Sequence, residues 1–252
     1  MRRILIIGIG AGDPEHLTIQ AVNALQQVDV FFITDKGGAK QDLMRLRTEI
    51  CARYIRDPSY RTVEIQDPER DRTSPAYETA VQCWHDQRAA RYETLLRDRL
   101  AANECGAFLV WGDPGLYDST LRVIRQIASR GELSFEYQVI PGISSVQALA
   151  ARHRITLNQI GTPVQITTGR RLAENPRLEG SDVVVMLDGE CAFRHVTDEQ
   201  AEIYWGAYVG TPEEILLSGR LSELAPTIER VRAEARRRRG WIMDTYILRK
   251  PR

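Results

Sequence analysis

Three short apolar runs in this chain each end in a glycine-rich turn, and this arrangement narrows the possible folds more than any other feature. Ile4, Leu5, Ile6 and Ile7 run into Gly8-Ile9-Gly10-Ala11-Gly12-Asp13-Pro14. Phe108, Leu109, Val110 and Trp111 run into Gly112-Asp113-Pro114-Gly115. Tyr137, Gln138, Val139 and Ile140 run into Pro141-Gly142-Ile143-Ser144-Ser145. In an open α/β sheet, ligands bind in the crevice outside the carboxyl ends of the strands. Three such loops from distant parts of one chain can line one pocket, so the pattern predicts a small-molecule site.

The periodicity supports an α/β layer. Residues 4–7 read as a short strand buried on both faces. Leu17, Ala21, Ala24, Leu25 and Val28 form one helical stripe, and residues 30–34 form a second strand. A strand, a helix and a strand make a right-handed parallel unit. Residues 41–55 read as a helix, 61–66 as a short strand, and 76–104 as a long helix. The strand at 108–111 precedes a helix that Ser119 or Thr120 can cap and Gly131 can stop. The strand at 135–140 precedes a helix begun by Ser144 or Ser145. The remainder is richer in strands, at 164–168, 183–187, 203–209, 214–218 and 241–248, with one long helix at 222–239. This predicts an N-terminal α/β domain over 1–141 with a mostly parallel sheet and a helical insertion at about 40–104. A C-terminal α/β domain with a mixed sheet follows over 142–252.

Composition removes several function classes. The chain has 252 residues, 34 Lys and Arg against 34 Asp and Glu, and no formal net charge. It has no global basic field for nucleic acid or an anionic membrane. The apolar run after Met1 is too short for a signal peptide, and no stretch reaches membrane-span length, so a cytoplasmic protein is expected. Cys51, Cys83, Cys105 and Cys191 are scattered, as are the four histidines, so no metal site of Cys and His is predicted. Arg236, Arg237, Arg238 and Arg239 fall in the last turn of a helix, where they complement its dipole, and Gly240 ends it. They read as a solvated helix end rather than a nucleic-acid patch.

The turns themselves exclude the obvious nucleotides. A dinucleotide fingerprint needs G-x-G-x-x-G. Here the spacing is G-x-G-x-G, with Asp13 where the last glycine belongs, and a carboxylate there repels a pyrophosphate. Asp35, about 20 residues on, mimics a ribose-binding acid but does not rescue the fingerprint. No Gly-Lys-Ser/Thr follows either, so the phosphate loop of nucleotide triphosphatases is absent. Gly-Asp-Pro occurs twice, at 12–14 and 112–114. Glycine admits close backbone, Asp offers acceptors to hydroxyls or a cation, and Pro fixes the turn. S-adenosylmethionine, a cationic sulfonium nucleoside without phosphate, suits such loops.

These stretches also carry a resemblance. GIGAGDPEHLT (8–18), WGDPGLYDST (111–120), IPGISS (140–145) and GTPEEILLSGRL (210–221) resemble the motifs of the tetrapyrrole methylase family, in that family's order. Within the family the likeness is greatest to the branch that methylates and deacetylates a corrin precursor. It is carried by FFITDKGGAKQDLMRLR (31–47), the stretch at 84–93, SSVQALAARHRI (144–155), TTGRRLAE (167–174), VVVMLDGE (183–190) and GWIMDTYILRKP (240–251). Ala11 departs from the proline of many relatives, and the insertion is larger than in most of them.

The resemblance implies two α/β domains with S-adenosylmethionine in the interdomain cleft, and a homodimer. It implies methylation of precorrin-5 at ring carbon 1 with release of acetate, in oxygen-dependent cobalamin synthesis. Carried over by position, the cofactor residues are Pro14, Gly112, Asp113, Leu116, Ser144, Ser145, Met186, Gly210 and Thr245. The alternative is a methyltransferase of the same fold acting on another corrin intermediate, a modified protein or a ribosomal RNA ribose.

Methyl transfer to an electron-rich ring carbon depends mainly on alignment of two bound reactants. Acetyl loss needs water at a carbonyl, and a placed base assists it. The candidates are Asp113 and Tyr117, then Asp118 and Asp188. A macrocycle rich in carboxylates calls for guanidinium groups. Arg170 and Arg171 lead, with Arg152, Arg154, Lys36 and Lys40 behind them, and the polar stretch 67–75 is the candidate closing loop. Arg170→Ala is expected to weaken substrate binding and to leave cofactor affinity intact in parallel titrations; equal loss of both would count against that role.

Overall fold

A computed structural model describes residues 1–35, 41–68, 77–178, 180 and 182–250. The chain divides into two compact units. The first comprises Met1–Gly10 and Pro14–Ile143; the second comprises Ala11–Asp13 and Ser144–Arg252.

The first unit runs β1 (Arg2–Gly8), α1 (Ile19–Leu25), β2 (Val30–Asp35), α2 (Gln41–Tyr54), β3 (Arg61–Gln66), α3 (Tyr77–Arg99), β4 (Cys105–Val110), α4 (Thr120–Arg130) and β5 (Phe135–Ile140). Its five strands lie in the order β3-β2-β4-β1-β5, and every pairing is parallel. The continuous apolar run of β1 follows from this, because helices cover both faces. Alternate residues point to opposite sides of a strand. Leu5 and Ile7 therefore pack with Leu25 and Ile50 of α1 and α2. Ile4 and Ile6 pack with Tyr92, Leu96, Ile124 and Ile127 of α3 and α4.

Helix ends differ from expectation where side chains intervene. Thr18 caps α1 by accepting from the Ala21 N–H at 3.0 Å, which starts the helix after Leu17. Neither Ser119 nor Thr120 caps α4 with its side chain; Asp118 Oδ1 accepts from the Thr120 N–H at 2.6 Å instead. Ser119 is already committed as an acceptor for Arg88. Gly131 stops α4 at φ 72°, as the sequence predicts. The long helix ends at Arg99 rather than at 104, because the Glu104 carboxylate accepts from the Ala101 N–H at 2.7 Å and turns the chain.

The second unit holds α5 (Ser145–His153), β6 (Val164–Thr168), α6 (Gly169–Glu174), β7 (Asp182–Met186), β8 (Glu202–Ala207), β9 (Ile215–Arg220), α7 (Leu221–Arg239) and β10 (Asp244–Arg249). The strand order is β6-β7-β10-β8-β9, with β6 and β7 parallel and the other pairs antiparallel. This is the expected mixed sheet. The helix α6 and the short 3-10 turn Ala192–His195 were not legible, since neither is long enough to show a period. The last strand starts at Asp244, later than expected. Trp241 and Met243 serve the loop after β8 instead: Tyr208 donates its hydroxyl to Trp241 O at 2.7 Å and its N–H to Met243 O at 2.9 Å.

Ser144 caps α5 in a capping box with Gln147. A buried polar knot fixes α7 against β10. Arg232 Nε donates to Asp244 Oδ2 at 2.9 Å, and the Trp205 indole donates to the same oxygen at 3.0 Å. Burial pushes the Asp244 carboxyl up, and Arg232 opposes that shift. Asp244→Ala strands a buried guanidinium and is expected to cost about 3–5 kcal/mol of stability. Urea unfolding of wild type and variant would measure it, and a loss below 1 kcal/mol would show the knot to be dispensable.

Candidate active site

In the first unit the three glycine turns meet. Gly112 donates its N–H to Gly10 O at 2.8 Å, and Gly10 returns a longer bond to Gly112 O at 3.4 Å. The third turn lies against both strand ends. A Cβ on Gly142 would sit 2.1 Å from Gly112 O and 2.8 Å from the Gly8 Cα, and one on Gly8 would sit 2.6 Å from the Gly142 nitrogen. These glycines allow backbone to touch backbone, which no other residue permits at such distances.

Asp113 locks the arrangement. Its Oδ1 accepts from the Gly115 N–H at 2.7 Å and its Oδ2 from the Gly142 N–H at 2.9 Å. Both oxygens thus bind backbone of the second and third turns. Leu116 follows on the same turn, its N–H bonded to Asp113 O at 3.2 Å. Tyr117 is next, with φ 54° and a side chain 46% exposed. A non-glycine residue in this region costs about 1–3 kcal/mol and marks places where geometry is imposed. Burial pushes the Tyr117 phenol up, so it is protonated at neutral pH. Pro14 closes the first turn, where its carbonyl accepts from the Tyr54 hydroxyl at 3.1 Å.

In the second unit a different group of expected residues converges. Met186 ends β7, half-buried, and is paired across the ladder with Thr245 of β10. The Thr245 hydroxyl lies 3.0 Å from that of Ser145, at the first turn of α5. Ser144, one residue earlier, is spent on the cap. Gly206 of β8, opposite Thr245, lets α5 settle onto the sheet: a Cβ there would lie 2.5 Å from Leu149 Cδ1. Gly210 has φ 83° and donates to Glu214 Oε2 at 2.8 Å, while Glu214 Oε1 receives Arg152 Nε at 2.6 Å. In the same unit Gly12 packs on this loop; a Cβ there would meet Thr211 Cγ2 at 2.6 Å.

The other candidates lie elsewhere in the fold. Asp188 is 6% exposed and accepts from the Glu190 and Ala192 N–H groups and from the Tyr246 hydroxyl, at 2.9, 2.7 and 2.7 Å. Asp118 caps α4. Arg170 and Arg171 are exposed on α6, where Arg171 pairs with Glu174 at 2.8 Å and borders a cavity of about 340 Å³. Lys36 and Lys40, and the stretch 67–75 apart from Asp67 and Pro68, lie outside the described residues. Two features had no sequence signal: the left-handed backbone of Leu187 just after β7, at φ 54° and 64% exposed, and a set of arginines on α2 and α3. Strain and burial of charge appear only when the chain is folded.

The residues fit S-adenosylmethionine. Turns 8–14, 111–119 and 140–145 contain no lysine or arginine, and Asp13 and Asp113 stand where a pyrophosphate would be repelled but a sulfonium attracted. In the first unit the close backbone and the apolar Leu116 suit a nucleoside with an aliphatic tail, and in the second, taken by itself, so do the Ser145 and Thr245 hydroxyls and the apolar Met186. Asp113→Ala frees two backbone N–H groups and unties the turns. It is expected to weaken S-adenosylhomocysteine binding by about tenfold or more, equivalent to about 1.4 kcal/mol; calorimetric titration at wild-type affinity would show the tie to be unnecessary.

Comparison with known proteins agrees with this geometry. Residues 3–225 match the family model described as Tetrapyrrole (Corrin/Porphyrin) Methylases. The chain is 55% identical over 250 residues to a Precorrin-6A synthase [deacetylating] of Sinorhizobium sp, covering 99% of this chain and 96% of the relative. It superimposes on the crystal structure of a cobalamin synthesis related protein (CobF) from Corynebacterium diphtheriae with a TM-score of 0.85, at 38% identity and 99% coverage of both chains. A Uroporphyrin-III C-methyl transferase from Thermus thermophilus, solved with S-adenosyl homocysteine, shares the fold at a TM-score of 0.61 and 18% identity, with 98% of this chain and 91% of that one covered. With its parallel and mixed sheets and its glycine turns in that family's order, the chain belongs to the tetrapyrrole methylases, whose methyl donor is S-adenosylmethionine.

Proposed function

We propose that this protein is an S-adenosylmethionine-dependent C-methyltransferase that converts precorrin-5 to precorrin-6A, methylating ring carbon 1 and releasing the acetyl group as acetate. The observation that carries this reading is the 55% identity to a precorrin-6A synthase across 99% of the chain. At that coverage both the turns and the segment between β2 and β4 fall within the matched length.

Bound S-adenosylmethionine supplies an electrophilic methyl group on a positively charged sulfur. The backbone of Gly112, Leu116 and Pro14 in the first unit, and Ser144, Ser145, Met186, Gly210 and Thr245 in the second, hold and orient it. The Ser145 and Thr245 hydroxyls, each already the other's partner at 3.0 Å, retain further donor and acceptor capacity for a ligand. Asp113 contributes by position: with its oxygens on the Gly115 and Gly142 N–H groups, it fixes the turns before anything binds. Rigid placement of two reactants is the main source of rate for a displacement that needs no base at the ring carbon.

Deacetylation asks more of the protein. A protonated Tyr117, exposed and held in a strained backbone, donates a hydrogen bond to the acetyl carbonyl as water adds. The same reading makes the protein a cytoplasmic homodimer that binds neither nucleic acid nor membrane. Zero formal net charge gives no global attraction to nucleic acid or to an anionic membrane, and no described helix is long and apolar enough to cross a membrane.

Incubation of precorrin-5 with methyl-labelled S-adenosylmethionine under anaerobic conditions tests the proposal. Mass spectrometry is expected to find the label in the ring and an equivalent of acetate in solution. Cofactor binding without ring labelling would overturn the substrate assignment.

A further inference from the structure

Three arginines are buried among the described residues: Arg47 at 7% exposure, Arg88 at 4% and Arg232 at 7%. Two of them have a carboxylate. Arg88 Nε lies 2.8 Å from Asp67 Oδ1, and Arg232 Nε lies 2.9 Å from Asp244 Oδ2. Arg47 has none. Its Nε donates to Leu109 O at 3.3 Å, and no carboxylate among the described residues forms an ion pair with it. Asp118 and Tyr92 act on it only at a distance, and burial outweighs them, pulling its pKa below the usual arginine value. Arginine stays protonated in proteins nonetheless, so this buried positive charge has no paired counter-charge among the described residues.

Its location is specific. β2 and β4 pair over only three residues each, Val30 to Phe32 with Gly106 to Phe108. Beyond Phe108 the ladder stops and a seam opens at the carboxyl end of the sheet. Cys105 O accepts from the Asp29 N–H at 2.9 Å, on the β2 side. Carbonyls alternate sides along a strand, so Leu109 O faces the same seam. Arg47 fills that vacant acceptor with one of its five donors.

The other wall of the seam is saturated. Thr34 Oγ1 lies 3.2 Å from the Tyr92 hydroxyl, which donates to Asp67 Oδ1 at 3.2 Å and accepts from Arg88 Nη2 at 2.6 Å. Arg88 Nη1 donates to Ser119 Oγ. That network neutralises itself. On the Arg47 side, by contrast, the Trp111 indole nitrogen, two residues past Leu109, is also buried without a partner. The Arg47 guanidinium and an unpartnered indole N–H therefore lie beside the strand that leads into the Gly112 turn.

We propose that Arg47 receives a carboxylate of the tetrapyrrole substrate at the seam between β2 and β4, an inference that rests on the acidic-macrocycle reading given above. A guanidinium presents two parallel N–H groups that match a carboxylate, and the bond to Leu109 O uses only Nε. Burial strengthens such a contact, because solvent does not screen it. The exposed Arg170 and Arg171 lack that advantage. The cofactor also bears a carboxylate, so the two sources must be separated experimentally.

The test uses full-length wild type, Arg47→Met and Arg47→Lys. Each is titrated with uroporphyrin, a porphyrin polycarboxylate, by fluorescence, and with S-adenosylhomocysteine by calorimetry. Arg47→Met is expected to bind uroporphyrin about tenfold or more weaker, the loss of one charge-assisted bidentate contact, with S-adenosylhomocysteine affinity unchanged. Arg47→Lys, which keeps the charge but not the fork, is expected to fall between the two, and it decides the question if the Met variant does not fold. Wild-type uroporphyrin affinity in the variants overturns the proposal, and so does a parallel loss of both ligands, which assigns Arg47 to the cofactor or to the fold. The precorrin-5 assay is read separately. Ring labelling by wild type with unchanged KM in Arg47→Met sinks the Arg47 role alone. No labelling, together with weakened uroporphyrin binding in the variant, sinks the precorrin-5 assignment alone.

Discussion

The first unit is organised around backbone touching backbone at Gly8, Gly112 and Gly142. Three parallel strands end side by side, and their turns must pass closer than any Cβ would allow. Once those turns are in contact, one carboxylate suffices to hold them, since Asp113 satisfies an N–H from its own turn and one from the next. An ionised acceptor on backbone N–H groups is among the stronger hydrogen bonds available to a protein. Tyr117, four residues past Asp113, leaves the turn in left-handed backbone at φ 54°. Asp113, one of the two catalytic candidates, holds the second and third turns together through both of its oxygens.

The second unit reaches precision by another route. Its sheet is mixed, and its polar interior is arranged so that every buried acid has work. Asp188 gathers two backbone N–H groups and a tyrosine hydroxyl, Asp244 receives Arg232 and Trp205, and Asp182 receives Arg249 at 2.6 Å. Against that background the Ser145 and Thr245 hydroxyls face one another at 3.0 Å, with no other side-chain bond among the described residues. The contrast between paired and unpaired buried groups is also what singles out Arg47 in the first unit. Proteins rarely bury a charge without compensation, and when one does, a ligand is the economical explanation.

Much of this was legible beforehand. Glycine spacing with Asp13 in place of the last fingerprint glycine excluded dinucleotides, and Gly-Asp-Pro pointed to a cationic nucleoside. The strand periodicity gave the parallel sheet, because runs such as residues 4–7 have only one comfortable environment, between two helical layers. Helix ends were less secure: Asp118 rather than Ser119 caps α4, because Arg88, 31 residues earlier, claims the serine hydroxyl. Pairings of that kind depend on which helix faces which strand, and no local pattern encodes them.

What the sequence determined by itself was composition of elements and chemistry of turns: where strands stop, where glycine is obligatory, and which charges the loops lack. Those are properties of residues and their immediate neighbours. Only the tertiary structure decided which acids brace the backbone, where the sheet parts between β2 and β4, and that Arg47, among three buried arginines, forms no ion pair with a carboxylate of the described residues. Burial and pairing are relations between residues far apart in the chain, and a charge becomes costly or useful only once folding has removed the water around it.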